Sequence, residues 1–435
     1  MHKRLSLLVC MVVAGVFLFT GTLFAGGSKE SPAATSKPVE LTLWHNYGTE
    51  INATTTQALV DAYAAVNPNV KINLVSQPAD NYFALLQSAA VSKTGPDLVV
   101  MWTGLFALKN KDYLARLDKF IPAADLKQLK GIEWSSDNFK PDDGILVAPL
   151  EDQFYIGFYN KALFKKAGIT QFPRNWTEFF AACQKLKDAG ITPMIYGNGG
   201  QNLGAAFYPW YDYSYLMIGA YPIEQWKGFY DGSIPFTSPK IVDQMNKWVS
   251  LHQKGYTNSD VITTTNVIDK FIKGEAAMIM DGTWDTATFE KPMGDNVAAF
   301  VPPFSDEPIK GVVEYAGDGF GITSYSQHQK EAADFIKFMI SPDGQKTIDK
   351  AGLIPDRQGF TTTDPVNESM LEFATKHGFS RFPMIDNVLQ GEVVDTGSQV
   401  LDAALAGQTT VMDALKKMQD SLMQLPADRR SSTYK

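Results

Sequence analysis

The sequence predicts an α/β fold, and three observations carry that prediction. A β–α–β run over Val39–Val75 forces its two strands to pair in parallel through a right-handed crossover. Ala276 to Met280 is an unbroken apolar run, the length and content of a strand buried on both faces. The chain has 435 residues, 45% of them hydrophobic and 20% charged, an ordinary globular composition with material for two cores.

His2, Lys3 and Arg4 precede an apolar run from Leu5 to Phe19, and small residues follow from Gly21 to Gly27. That is the pattern of a secretory signal peptide over residues 1–25, cut after Ala25. No cysteine follows the small-residue segment, and Cys10 sits inside the apolar run, so a periplasmic or extracellular protein without a lipid anchor is expected. No other stretch reaches the ~18–20 apolar residues of a membrane span. Residues 26–38 read as a tether without periodicity.

The first strand is Val39–Trp44, followed by an amphipathic helix from Glu50 to Val66 that Asn67–Pro68 ends. Val70–Val75 is the second strand, Asn81–Val91 the second helix, and Gly95–Pro96 opens the strand Asp97–Trp102. These elements make a doubly wound unit. From Ala148 the character changes. Tyr155–Tyr159 is an aromatic strand, Lys161–Ala167 a helix, and Asn175 with Glu178 three residues on forms a capping box for the helix that Gly190 terminates. Gly197–Gly232 reads as irregular and dense in Tyr, Trp and Gly. Ser238–Pro239 starts a helix whose stripe includes Trp248, and Gly255 stops it.

The apolar run at 276–280 leads to Asp281–Gly282, where Gly282 permits a sharp turn or close approach to a ligand. Thr283, Trp284 and Asp285 follow, at the carboxyl end of a strand expected to be parallel, where open α/β sheets bind ligands. A Trp flanked by carboxylates suits a sugar, because the indole covers the C–H face while the acids accept hydroxyl protons. The alternative is a plug between the strand and the next helix. Further on, Val297–Val301 is a strand, Gly317–Gly321 a glycine-rich crossing, and Glu331–Ile340 a helix. Ser341–Pro342 begins the next helix, which Gly352 ends, and the last seventy residues read as helices, notably Val411–Leu425.

Charge and side-chain inventory narrow the function. The net charge is −8, and removing the leader with Lys3 and Arg4 takes it to −10, which opposes binding to nucleic acid or a membrane surface. With seven arginines, a clamp for phosphate or carboxylate ligands is not expected. Without Cys10, Cys183 stands alone at helical spacing with Phe179 and Leu186, a core position, so no disulfide is expected. The five histidines are scattered without ligand spacing, so neither metal nor cofactor is expected. Glycoside hydrolysis needs two carboxyls held ~5–10 Å apart, and the adjacent Glu151 and Asp152 would point apart on extended backbone. No nucleophile elbow or phosphate loop occurs.

Five stretches in order resemble the extracellular solute-binding proteins of ATP-driven (ABC) importers, in the carbohydrate-binding branch that includes the maltose-binding proteins. They are Leu41–His45, Gly95–Val99, Tyr159–Lys161 through Asn175–Phe179, Gly274–Trp284, and Glu331–Phe338 with Ser341–Gly344. The match runs from about residue 39 to 360. Asn175 stands where the family usually has Thr, and caps equally well.

The resemblance implies a two-lobe periplasmic binding protein fold, with doubly wound sheets joined by three hinge crossings. Candidate crossings are Pro149–Tyr155, Val312–Phe320 and Leu353–Phe360. One lobe would hold 39–150 plus 318–358, and the other 151–317 plus 359–435. It also implies a monomer that captures a small carbohydrate without altering it and hands it to the importer's membrane permease. A polyamine or other cationic solute is the alternative ligand, and a secreted carbohydrate-active enzyme a more distant one. Loops at strand ends supply the ligand-binding candidates. These are Trp44, His45, Asn46 and Tyr47; Asp97 and Trp102; Glu151 and Asp152; Trp210 and Tyr211; Trp284 and Asp285; Gly317 and Asp318; and Arg357. For each, the alternative is strand capping or hinge packing.

Overall fold

A computed structural model describes residues 38–47, 51–78, 81–197, 209–315 and 317–430. The expected leader, nearly all of the tether and the helix start at Glu50 lie outside them. Two mixed sheets, each with its own core, organise the described residues.

The first sheet is built from β1 (Val39–His45), β2 (Val70–Ser76), β3 (Leu98–Trp102), β4 (Leu114–Ala115), β5 (Ala148–Pro149) and β11 (Asp318–Thr323). Its order is β2-β1-β3-β11-β4, with β5 also on β11. β1 and β2 pair in parallel from Val39↔Val70 to His45↔Ser76, joined by the helix Ile51–Val66. Leu41 and Leu43 alternate inward and meet Leu59 and Tyr63 of that helix in a shared core.

The second sheet has order β12-β10-β6-β8-β7, with β9 also on β6. Its strands are β6 (Gln153–Asn160), β7 (Thr192–Ile195), β8 (Ala276–Gly282), β9 (Val297–Phe300), β10 (Gly311–Tyr315) and β12 (Ser380–Phe382). β8 is buried along its whole length, between β7 in parallel and β6 antiparallel. The parallel expectation therefore holds on one edge only.

Chain and core cross over at three places. Leu150 belongs to the first core and Phe154 to the second; Val313 belongs to the second and Phe320 to the first; Leu353 and Ile354, consecutive residues, belong to different cores. The fold is thus two lobes joined by three crossings.

The helix expected at Asn175 forms as Trp176–Asp188, with Asn175 Oδ1 accepting from Glu178 N at 2.9 Å. The reciprocal half of the box lands one residue early: Glu178 Oε2 accepts from Arg174 N at 2.8 Å. Cys183 is fully buried, and burial pushes its thiol up. Trp248 is core and donates to Asp212 Oδ2 at 2.9 Å.

Two larger expectations need correction, besides the three-residue strand β12 within the last stretch read as helices. Within 197–232, the described part contains the helices Pro209–Ala220 and Lys227–Asp231. Pro209–Ala220 is buried on nearly every side, so it lacks the polar face by which a surface helix is recognised. Second, β8 does not stop before Gly282, whose φ of −150° is extended strand. Glycine is needed there for room: a Cβ would lie 2.0 Å from Cζ3 of Trp284.

Candidate functional site

On the second lobe, the register Tyr155↔Gly282 sets the aromatic strand beside the end of β8. The next three residues, Thr283–Asp285, form a 3-10 turn anchored by Phe154 N donating to Thr283 Oγ1 at 3.0 Å. The turn folds the Trp284 indole back over Gly282 and leaves it 9% exposed. Its ring meets Tyr155 edge-on at 4.9 Å between centroids and lies 6.1 Å from Tyr211, which in turn is 4.6 Å from Tyr155. Acids gather on this cluster. Burial, then Asp281, Asp386, Asp285 and Asp318, push the Tyr211 phenol well above its ordinary value. Burial likewise raises Asp285.

From the first lobe, Trp102 ends β3 directly across from Asp318 of β11. It contacts Phe106 edge-on at 4.7 Å and Phe83 at 5.1 Å, and all three rings are half-buried. Burial raises Asp318 to about 8, with the negative charge of Glu151 adding to the shift. Glu151 is completely buried on the first crossing, and its Oε1 accepts from Asn52 Nδ2 at 2.9 Å and Gln153 Nε2 at 2.8 Å. Burial raises it to about 7 despite those two bonds, with Asp152 and Asp285 pushing the same way. Gly317 has φ +63°, and a Cβ there would sit 2.5 Å from the Gln153 side chain. The lobes also touch beyond this point, where a Cβ on Gly104 would meet Asn387 Oδ1 at 2.4 Å.

The structure therefore gathers Trp102, Glu151, Tyr211, Trp284, Asp285, Gly317 and Asp318 around one region between the lobes. The other candidates, Asn46 excepted, have contacts of their own. Trp44 alternates away from His45 on β1, and its indole tip lies 3.8 Å from where a Gly95 Cβ would be. His45 stacks on Tyr47 at 5.6 Å, burial lowers the imidazole's pKa, and Tyr47 belongs to the first core. The side-chain oxygen of neighbouring Asn46 is buried. Asp97 uses both oxygens as a strap, accepting from Thr42 N at 3.0 Å and Ser326 Oγ at 2.6 Å. Trp210 is fully buried against Gly397 and donates to Ser398 Oγ at 2.9 Å. Arg357 donates to Ile340 O at 2.8 Å. Asp152 turns away from Glu151 onto Lys130, 2.9 Å distant.

Sequence reasoning missed Asn52, Phe83, Phe106, Tyr155, Asp281 and Asp386 as members of this region. Asp281 had a signal, since it is a carboxylate closing a fully buried strand. Phe83 and Phe106 carried none, because half-exposed aromatics near helix starts are ordinary packing residues. Among the described residues no group of three or more His, Cys, Asp and Glu could hold a metal ion. No described helix is long and apolar enough to cross a membrane.

A model of the bacterial extracellular solute-binding protein family matches residues 47–346, more than half of the chain. An uncharacterized ABC transporter extracellular-binding protein of Pyrococcus horikoshii is 24% identical, over 97% of this chain and 94% of its own. Among solved structures, a chitin oligosaccharide binding protein has a TM-score of 0.77 at 24% identity, covering 89% of this chain and 99% of that one. Maltose-bound MalE3 of T. maritima has a TM-score of 0.70 at 20% identity, covering 88% and 99%. At these identities the structural likeness is one of fold.

Proposed function

Given that this chain belongs to the bacterial extracellular solute-binding protein family, we propose that it captures a small carbohydrate between its lobes, unchanged, for delivery to an ABC importer's permease. The observation that carries this reading is the Tyr155–Tyr211–Trp284 cluster with Asp281, Asp285 and Asp318 gathered on it and Trp102 across from Asp318. Aromatic faces cover the C–H surface of a sugar ring, and carboxylates accept its hydroxyl protons. The chitin-oligosaccharide and maltose-bound neighbours support the same ligand class. Hinge closure about crossings of this kind is the known repertoire of periplasmic binding proteins.

One observation favours a cationic solute as the second reading. Among the described residues, no lysine or arginine forms an ion pair with Glu151, Asp285 or Asp318. An ammonium group would supply the missing charge, and the aromatic rings would hold it by cation–π contact.

A thermal-shift panel of neutral oligosaccharides and polyamines separates the two. A tight ligand at 100 times its dissociation constant adds ~2.7 kcal/mol of stability. The sugar reading expects that response from at least one neutral sugar, recovered intact by chromatography after hours of incubation. Stabilisation by polyamines alone would transfer the site to cations, and conversion of the bound sugar would end the binding reading altogether.

A further inference from the structure

At the crossings, one buried carboxylate is held by cations from both lobes. Asp152 follows Glu151 on the first crossing and is 1% exposed. Lys130 Nζ donates to Asp152 Oδ2 at 2.9 Å and to Pro355 O, on the third crossing, at 3.1 Å. The backbone of Lys130 donates to Asp356 O at 3.0 Å, and its neighbours Leu129 and Ile132 belong to the first-lobe core. From the other side comes Arg381 on β12, whose neighbour Phe382 belongs to the second core. Arg381 Nη1 lies 3.6 Å from Asp152 Oδ2, pairs with Glu314 at the end of β10, and sets its guanidinium 5.3 Å from the centroid of Phe154. Asp152 N closes the ring by donating to Ile354 O at 3.0 Å. One network thus touches all three crossings and both lobes.

We propose that Asp152, bracketed by Lys130 of the first lobe and Arg381 of the second, is an interlobe charge strut that sets the balance between closed and open forms. Lys130 and Arg381 are then positioning residues, tuning ligand affinity without touching the ligand. The proposal rests on the two-lobe, hinge-closing reading above and is independent of whether the ligand is a sugar.

Solvation of Asp152 links the strut to the lobe equilibrium. Each cation moves with its own lobe, so a rotation about the crossings changes their separation. A carboxylate this buried is tolerated because it is paired; without Lys130, Arg381 alone must serve both Asp152 and Glu314, and without Arg381, Glu314 has no cation among the described residues. Lobe opening relieves that penalty by letting water reach Asp152, so losing either cation favours the open form. Lys130 and Arg381 are themselves partly exposed, which reduces the effect below that of a fully buried pair. We expect the open-to-closed ratio to rise about tenfold for either variant.

The test needs no ligand. Spin labels go on the mature chain at Val91→Cys, 81% exposed in the first lobe, and Met412→Cys, 37% exposed in the second. Cys183 is buried and takes no label. Dipolar distance distributions are then compared for the labelled parent, Lys130→Met, Arg381→Met, Lys130→Arg and Lys130→Met/Asp152→Asn. The longer-distance population should grow about tenfold relative to the shorter one in the two methionine variants. It should stay at the parental level in Lys130→Arg, and return towards it in the double variant, where Asp152 no longer carries a charge and Arg381 keeps Glu314. If Lys130→Met does not fold, Arg381→Met at its half-exposed position carries the same test. Unchanged distances in every variant that folds, even with lowered melting temperatures, would overturn the strut, as would failure of Asp152→Asn to restore the parental distribution. A chain that binds only polyamines in the thermal-shift panel leaves these distances as they are, so the two ideas fail separately.

Discussion

Gly282 and Trp284 form a pair whose coupling can be worked out from the geometry. A methyl group on Gly282 would lie 2.0 Å from Cζ3 and 2.1 Å from Cη2 of the indole, both inside any tolerable contact. The strand cannot yield easily, since Gly282 is paired with Tyr155 of β6. Gly282→Ala must therefore push the indole off its seat. Overpacking of this kind costs ~1–3 kcal/mol. Losing the edge-on contact with Tyr155 at 4.9 Å adds ~0.5–1.5 kcal/mol. Trp284→Ala alone empties a nine-tenths-buried site and should cost ~3–5 kcal/mol. That corresponds to a melting shift of roughly 6–20 °C, at about 2–4 °C per kcal/mol for a folding unit of about 150–250 residues. In the Trp284→Ala background, Gly282→Ala meets no indole and should change stability by less than ~0.5 kcal/mol. Urea unfolding of the four proteins gives the coupling, and isothermal titration with whichever solute the panel identifies gives the affinities. Additive effects, with Gly282→Ala equally harmful in both backgrounds, would refute the seating of the indole. If the indole also walls the ligand site, Gly282→Ala weakens binding as well as stability, which no remote core defect would do.

Two further contrasts follow. Trp102→Ala removes a half-buried ring from the candidate wall, and we expect ~10–150-fold weaker binding with a small stability change. Trp210→Ala should do the reverse: ~3–5 kcal/mol of stability lost with affinity intact below the melting transition. Equal behaviour of the two in titration and unfolding would undo the division between site and core. The pH dependence has a definite sign. Asp318 rises from 3.8 to about 8 and Glu151 from 4.5 to about 7, so the native state keeps protons that the unfolded chain has released. Their contribution to stability is fully present below about 4 and is lost as pH rises through about 8. Asp318→Asn and Glu151→Gln should each flatten that decline in urea midpoints between pH 5 and 8, and an unchanged slope in both would contradict the desolvation of the half-buried Asp318 and the buried Glu151.

Local chemistry was legible in the sequence wherever it acts over a few residues. The alternation of Leu41 and Leu43, the Asn175 cap and the long stripe of Trp248 are decided by neighbours within one or two turns. The order of family-like motifs along the chain then carried the two-lobe architecture, because that order reflects contacts that no single segment contains. Which aromatic faces the gap between the lobes was a different matter. Trp44, Trp102, Trp210 and Trp284 looked alike as residues near strand ends or in a polar-poor loop. Their fates turned on partners far away in the chain: Gly95 for Trp44, Ser398 for Trp210, Tyr155 for Trp284, and the strand carrying Asp318 for Trp102. The same holds for the acids. Glu151 and Asp152 are adjacent, yet extended backbone turns one towards Asn52 and the candidate site and the other towards Lys130 and Arg381. Periodicity determines which face of an element is buried; only the packing of distant elements decides what lies against it, and hence whether a buried ring or carboxyl serves the core, the hinge or a ligand.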